Sequence, residues 1–288
     1  MPADEDLAAR FQADRAHLRA VAFRLLGSLD DADDALQQAW LKASRADRTG
    51  VENLTGWLTT VTARECLTLL RARRRRRETA LPEDAFAVAP AAEDEAIMSE
   101  SVGRALLVVL DRLSPPERVA FVLHDMFAVP FDEIAPIVDR SPVTAKKLAS
   151  RARQKVRGPS PAPPAADVRV VRAFLVALRA GDIDGLLAVL APDVIRRADA
   201  AARPAGVTAE IRGADATVAE SLRLGRRRAQ VADLARIGDR VGLVVAPRGR
   251  LVIALAFTVD DGVIRAYDVI ADPARLADLP VAVLDPPS

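Results

Sequence analysis

Six arginines crowd the stretch "RARRRRR", at Arg71, Arg73, Arg74, Arg75, Arg76 and Arg77, and a second basic run, "AKKLASRARQKVRG", follows further along the chain. Guanidinium and ammonium groups at such density do one kind of chemistry well. They neutralise phosphates and displace their counterions, and when rigidly presented they bond to guanine edges in a major groove. Few residues suited to catalysis compete with this reading. The chain has two histidines, His17 and His124, and a single cysteine, Cys66, so an intrachain disulfide is impossible and a His/Cys zinc site is close to excluded. Acid gathers elsewhere, at Asp30, Asp31, Asp33 and Asp34, and the formal net charge is only +1. The partition of charge along the chain therefore carries the information, and the sum does not.

Placed on a helix from Pro142 to Val156, the second basic run divides into two faces. Ala145, Leu148, Ala149, Ala152 and Val156 form an apolar stripe. Lys147, Ser150, Arg151 and Gln154 share the opposite face, with Val143 beside them. Ser141 is placed to cap this helix and Pro142 to start it. Two readings fit: a solvated helix closing a bundle, or a recognition helix whose stripe seats it while the other face enters a groove.

Three blocks must position these groups. Residues 1–78 are helical by periodicity. One helix stops near Gly27, a second starts at Asp30/Asp31 and buries Leu36, Ala39, Trp40 and Ala43, and a third carries its apolar positions into the arginine run. Residues 79–94, proline-interrupted and acidic, form a linker. Residues 95–158 contain "LSPPERVAFVLHDMF", where Ser114, Pro115 and Glu117 make an N-terminal capping signature. The short helix "PFDEIAPIV" contains Pro136, expected to kink or shorten it. The turn "DRS" then leads into the basic helix. Residues 159–166 are a Pro-rich tether. Residues 167–288 differ in kind, with two helical stretches before four strand-like runs, "APRG" and "VDDG" marking hairpin turns. Aromatics make up 4% of the chain, so the cores must be built from Ala, Val and Leu. No run approaches the roughly 18 apolar residues of a membrane span.

The order "DADDALQQAW", "WLTTVTARECLTLLRARRRRR", linker, "LSPPERVAFVLHDMFAVPFDEIAPIV" and basic helix resembles the bacterial extracytoplasmic-function (ECF) RNA polymerase sigma factors. The resemblance covers residues 1 to about 158. The third block resembles the SnoaL-like domain of the subgroup that carries such an extension. The implied fold is two all-α sigma domains, a helical bundle and a helix-turn-helix, followed by an α+β SnoaL-like domain with a curved antiparallel sheet. In the family, the "DADDALQQAW" helix docks on the β′ clamp helices of core RNA polymerase, which places Asp34, Gln37 and Gln38 at exposed contact positions, and the β flap is a further implied partner. Promoter DNA is implied twice. The loop from Asp47 to Thr55, with Asn53 as candidate, would capture bases of the −10 element, and the arginine run would hold its phosphates. The basic helix would read the −35 element through Val143, Thr144, Lys147, Ser150 and Arg151. Lys146, Arg153, Lys155 and Arg157 are then expected to face phosphates or solvent. Trp57 is spaced with Val61 as a core residue. At about 15 residues and roughly 3.3–3.6 Å each, the linker could span about 50 Å between the two reading blocks.

SnoaL-like domains include cyclases and isomerases, yet this block has no histidine, and its lone tyrosine, Tyr267, points away from Asp268 across the strand. A protein-contact module is therefore expected over an enzyme, with an apolar ligand pocket as the other option. Family members often carry Asp-Gly-Gly-Gly-Lys and Asn-Pro-Asp-Lys-Leu motifs. Here "ADAAARP" and "ADPARL" stand in their places, without the glycines and lysines, leaving Asp199, Asp272, Pro273 and Leu276 as candidates for an intramolecular regulatory contact. The expected function is a cytoplasmic, non-enzymatic, cofactor-free sigma factor tuned by its own C-terminal domain. The alternative is a helix-turn-helix regulator acting without polymerase and sensing a small molecule.

Overall fold

The computed structural model describes residues 2–77, 103–203 and 206–284. They fall into two compact units, one built from residues 2–77 and 110–155, the other from residues 103–109 and 156–284. The expected linker, 79–94, lies outside the described residues.

In the first unit, α1 (Pro2–Leu26) ends at Gly27, whose φ of 78° is the left-handed conformation that terminates helices. Ser28 caps α2 (Leu29–Ala43) by accepting the Asp31 N–H. The helix thus starts just before the aspartate pair, which sits instead in the first turn, where the helix dipole favours negative charge. Asn53 starts α3 (Leu54–Arg77), its Oδ1 accepting the Gly56 N–H at 3.0 Å. Leu18, Val21, Leu25, Leu36, Ala39, Leu58 and Leu67 make the three-helix core. Trp40 and Trp57, expected in it, are only half-buried. Trp40 rests on Phe11, ring centres 5.1 Å apart.

The next elements are α4 (Arg104–Asp111), α5 (Pro115–Phe121), a wide π turn (Val122–Met126), α6 (Phe131–Val138) and α7 (Pro142–Arg157). Pro136 lies inside α6, which is eight residues long. Asp139 caps α6 in the left-handed conformation, and the turn at 139–141 delivers the chain to α7, as expected for a helix-turn-helix. Residues 110–155 of the second helical block pack in this unit with the first block. The Arg118 guanidinium donates to the Arg24 carbonyl at 3.3 Å, and the Arg24 guanidinium lies 5.2 Å from the Phe127 ring centre. Bundles this small bury little surface alone, which favours their association.

Glu117 anchors the start of α5. Its Oε2 accepts from the Ser114 N–H and hydroxyl at 3.0 and 2.7 Å and from Lys155 Nζ at 2.9 Å. Burial alone would raise its carboxyl pKa, but the bonds from Lys155 and Ser114 outweigh it and hold the pKa below the ordinary value. A depressed folded pKa stabilises the fold above the ordinary carboxylate range, and the contribution is lost as pH falls through the folded value. Glu117→Gln is therefore expected to cost about 1–2 kcal/mol at neutral pH. Urea melts should find the gap to the parent closing below about pH 4.

The second unit is α+β. Helices α8 (Ala165–Ala180), α9 (Ile183–Val189) and α10 (Ala214–Ala229) accompany a seven-stranded sheet of order β2-β1-β6-β5-β4-β3-β7. Its strands are β1 (Leu190–Ala198), β2 (Glu210–Arg212), β3 (Ala232–Ile237), β4 (Arg240–Val245), β5 (Ile253–Asp260), β6 (Val263–Ile270) and β7 (Val281–Ala282). The sheet is mixed, since β1 pairs parallel with β6, whereas an antiparallel sheet was expected. The reason is topological: β1 enters directly from α9 and lies beside the last long strand, as well as beside its sequence neighbour β2. Asp261 and Gly262 close the β5–β6 hairpin with φ of 51° and 75°, the paired positive values of a type I′ turn. Register shifts in β1–β6 and β5–β6 mark bulges, which bend a sheet. The helices cover one face over Phe174, Leu186, Val218, Leu243, Phe257 and Tyr267. A smaller cluster, Ile237, Ala254, Ala256 and Ile270, takes Leu276 of α11 (Pro273–Asp278) on the other.

Two further contacts belong to this unit. The Ala105 N–H at the start of α4 donates to Asp233 Oδ2 at 3.3 Å. The Val283 N–H donates to the Val156 carbonyl at the end of α7 at 3.2 Å.

Candidate nucleic-acid interface

The face of α7 is set by its cap and its stripe. Ser141 Oγ accepts the Thr144 N–H at 3.3 Å and lies 2.9 Å from the Thr144 hydroxyl. Ala145, Leu148, Ala149, Ala152 and Val156 are all buried, as the faces predict. Lys147, Ser150 and Arg151 are exposed, and none makes an ion pair among the described residues. Val143 is 66% exposed, an unusual position for a large apolar side chain and one suited to a thymine methyl. Thr144 is half-buried, with its hydroxyl engaged by the cap.

Arg153 and Lys155 were expected to face phosphates or solvent. Arg153 pairs with Asp125, and Lys155, still exposed, pairs with Glu117, so both also brace α7 against its own unit. Their positions flank the apolar stripe, where the long side chains reach the acids of α5 and the π turn. Lys146 is exposed.

The arginine run divides in the same way. Arg73 pairs with Asp31 and donates to the Leu26 carbonyl at 3.1 Å, tying α3 to the junction of α1 and α2. Arg71 is exposed and sits 3.6 Å from Asp139 in the helix-turn-helix. So exposed a pair contributes little to stability and exchanges readily for a phosphate. Arg74, Arg75 and Arg76 are exposed. Arg77 ends α3, and its side chain lies outside the described residues.

Ahead of α3, Asp47 accepts the Thr49 N–H at 3.0 Å and its hydroxyl at 2.6 Å, shaping the loop. Asn53 is exposed, but its amide oxygen caps α3, which leaves only its NH2 for a base. Trp57, one turn into α3, is half-buried. Its spacing with Val61 suggested core, but Val61 is half-buried too, and both lie on the rim of the bundle.

On α2, Asp34, Gln37 and Gln38 are exposed along one stripe. Asp33 is held bidentate by Arg19 at 2.8 Å and Asp31 by Arg73, so Asp34 is the exposed acid of this cluster with no ion pair among the described residues. Leu41, 39% exposed, extends the stripe one turn and escaped sequence reasoning because its type reads as core.

The four candidates for a regulatory contact are engaged inside the second unit. Asp199 accepts from the N–H groups of Ala202, Ala271 and Asp272 at 2.9–3.0 Å and pairs with Arg275. Asp272 caps α11 by accepting the Arg275 N–H, Pro273 starts that helix, and Leu276 is buried. These residues join the end of β1 to α11. Both histidines are structural as well: His124 stacks on Phe131 at 3.8 Å, and His17 lies 3.3 Å from the Thr59 hydroxyl. Among the described residues no group of acids, histidines or cysteine is placed to hold a metal, and no helix is long and apolar enough to cross a membrane.

A capped basic helix presented by a helix-turn-helix, in one unit with a bundle that ends in arginines, defines a helical nucleic-acid reader carrying an α+β unit. Residues 11–76 match Sigma-70 region 2, and residues 103–156 match Sigma-70, region 4. The chain is 36% identical over 293 residues to the ECF RNA polymerase sigma factor SigJ of Mycobacterium tuberculosis, covering 94% of this chain and 93% of that protein. It is 33% identical over 292 residues to the probable ECF RNA polymerase sigma factor SigI of the same species, covering 97% and 98%. The crystal structure of SigJ aligns with a TM-score of 0.45 at 35% identity, over 93% of this chain and 97% of that one. The chain belongs to the ECF family of RNA polymerase sigma factors.

Proposed function

We propose that this sigma factor joins core RNA polymerase through the Asp34, Gln37, Gln38 and Leu41 stripe of α2, against the β′ clamp helices, with the β flap as a second contact. It reads the −35 element with Val143, Lys147, Ser150 and Arg151, and Thr144 at the edge of the same surface. The loop before α3 takes −10 bases, with Asn53 offering its NH2 and Trp57 a stacking surface. Arg71, Arg74, Arg75, Arg76 and Arg77 lie on the phosphates, and Arg73 serves the bundle instead. It works in the cytoplasm, beside polymerase, and catalyses nothing itself. The observation that carries this reading is the division of basic residues on α7: Arg153 and Lys155 are paired inward, while Lys147 and Arg151 stand clear on one exposed face. Relatedness to sigma factors over nearly the whole chain favours it over a regulator that acts without polymerase.

The C-terminal unit modulates this activity. In support, it engages both ends of the region 4 match, at Ala105 through Asp233 and at Val156 through Val283. Those residues replace Asp199, Asp272, Pro273 and Leu276 as the regulatory contact.

Run-off transcription with purified core polymerase and a randomised promoter pool tests the whole reading. The full chain is expected to yield promoter-dependent transcripts. A chain lacking residues 167–288 is expected to associate with core equally well but to give severalfold different output. No transcript from any template, together with tight duplex binding without core, would establish the polymerase-independent regulator.

A further inference from the structure

The second unit encloses a cavity between α8, α10 and the helix-covered face of the sheet. Its volume is about 60 Å³. That is several times the roughly 10–15 Å³ that one ordered water needs. This is more than a packing defect. The walls are apolar, with Phe174, Leu178, Leu224, Leu243, Ile253 and Leu255 facing the space.

Polar groups gather on the cavity lining from β1, β6 and α10. Arg196 of β1 is buried to 5% exposure, and its Nη1 has no hydrogen-bond partner. Arg228 of α10 also lines the space, and burial together with the nearby Arg196 holds its guanidinium below its ordinary pKa. The Tyr267 and Ser221 hydroxyls bond each other at 2.8 Å beside them. Glu220 is the lining carboxylate, and Arg223 already grips it through bonds of 2.8 to 3.0 Å. The orphaned Nη1 thus belongs to an arginine on a lining whose one carboxylate, Glu220, is engaged by Arg223. A buried cation lacking full compensation is costly, and arginine cannot escape by losing its proton. A planar oxyanion resolves the imbalance, because a carboxylate accepts the parallel N–H bonds that a guanidinium fork offers.

We propose that this cavity binds a small organic carboxylate, aromatic or branched aliphatic, with its anionic group on Arg196 and its body against Phe174, Leu243 and Leu255. The site is independent of the promoter and polymerase surfaces, so its test does not depend on them. Benzoate and isovalerate, with benzyl alcohol as the neutral match, are titrated into the full-length protein by calorimetry and by ligand-observed NMR. At least one carboxylate is expected to bind with one-to-one stoichiometry, at least tenfold more tightly than the alcohol. Arg196→Met is expected to lose at least tenfold in affinity. Because Arg196 is buried, Leu224→Phe provides a second variant that fills the cavity and leaves the arginine in place; it too should lose binding while its thermal transition is retained. Absence of binding by either carboxylate at millimolar concentration, equal affinity for acid and alcohol, or undiminished binding in Leu224→Phe each overturns the proposal.

Discussion

Replacing both Lys147 and Arg151 with alanine is expected to reduce transcription from a −35-dependent promoter by roughly 10- to 100-fold and to leave association with core polymerase unchanged. A good base contact discriminates by about 1–3 kcal/mol, and the two side chains are exposed on the face opposite the stripe that seats α7. Neither has an ion pair to lose among the described residues, so the folding cost should stay within about 0.5 kcal/mol. Arg153→Ala with Lys155→Ala is the informative contrast. These residues carry the same charge on the same helix but pair with Asp125 and Glu117. Their loss should lower the melting temperature with little effect on promoter choice. Run-off assays on wild-type and scrambled −35 sequences separate the two outcomes, and gel filtration with core reports association. If the Lys147/Arg151 variant lost core binding, or behaved like the Arg153/Lys155 variant, the recognition face would be misassigned.

That contrast also marks where sequence reasoning stops. Helical periodicity placed the stripe of α7, because every stripe residue is apolar and every turn repeats it. The "DRS" turn and the "DG" hairpin were legible because each needs a special backbone conformation, and Asp139, Asp261 and Gly262 all adopt positive φ. The partners of long basic side chains were not legible. Arg151 and Arg153 are the same residue type two positions apart, and only the tertiary fold decides which of them meets an acid. Asp125, the partner of Arg153, lies 28 residues away in the chain. Trp57 misled because a bundle has a rim as well as a core. Helix α10 was missed since its buried positions include Thr217, Ser221 and Ala229, small or polar residues that leave a faint stripe. The cavity was invisible for a related reason: its lining is gathered from two helices and several strands, with no two polar members adjacent except Glu220 and Ser221.

Phe174→Ala is expected to destabilise the second unit by about 3–5 kcal/mol. Phe174 is fully buried, and its ring packs against Phe257 at 5.3 Å and Tyr267 at 5.8 Å between centres. It also lines the cavity, so its removal enlarges a space already present, and the walls cannot collapse to fill it. A single unfolding free energy is not well defined for a chain of two units, so hydrogen exchange is the suitable measurement. Amides of β4, β5 and β6 should lose protection by the full amount, while those of α1, α2 and α3 stay unchanged. Leu106 to Val109 discriminate further. They belong to the region 4 match by sequence but to the second unit by packing. If Asp233 holds the start of α4 to the sheet, these amides lose protection together with β5, although Phe174 is remote in sequence. Protection at Leu106 to Val109 that follows α1 to α3 instead would detach α4 from the C-terminal unit and remove the physical basis for self-regulation through it.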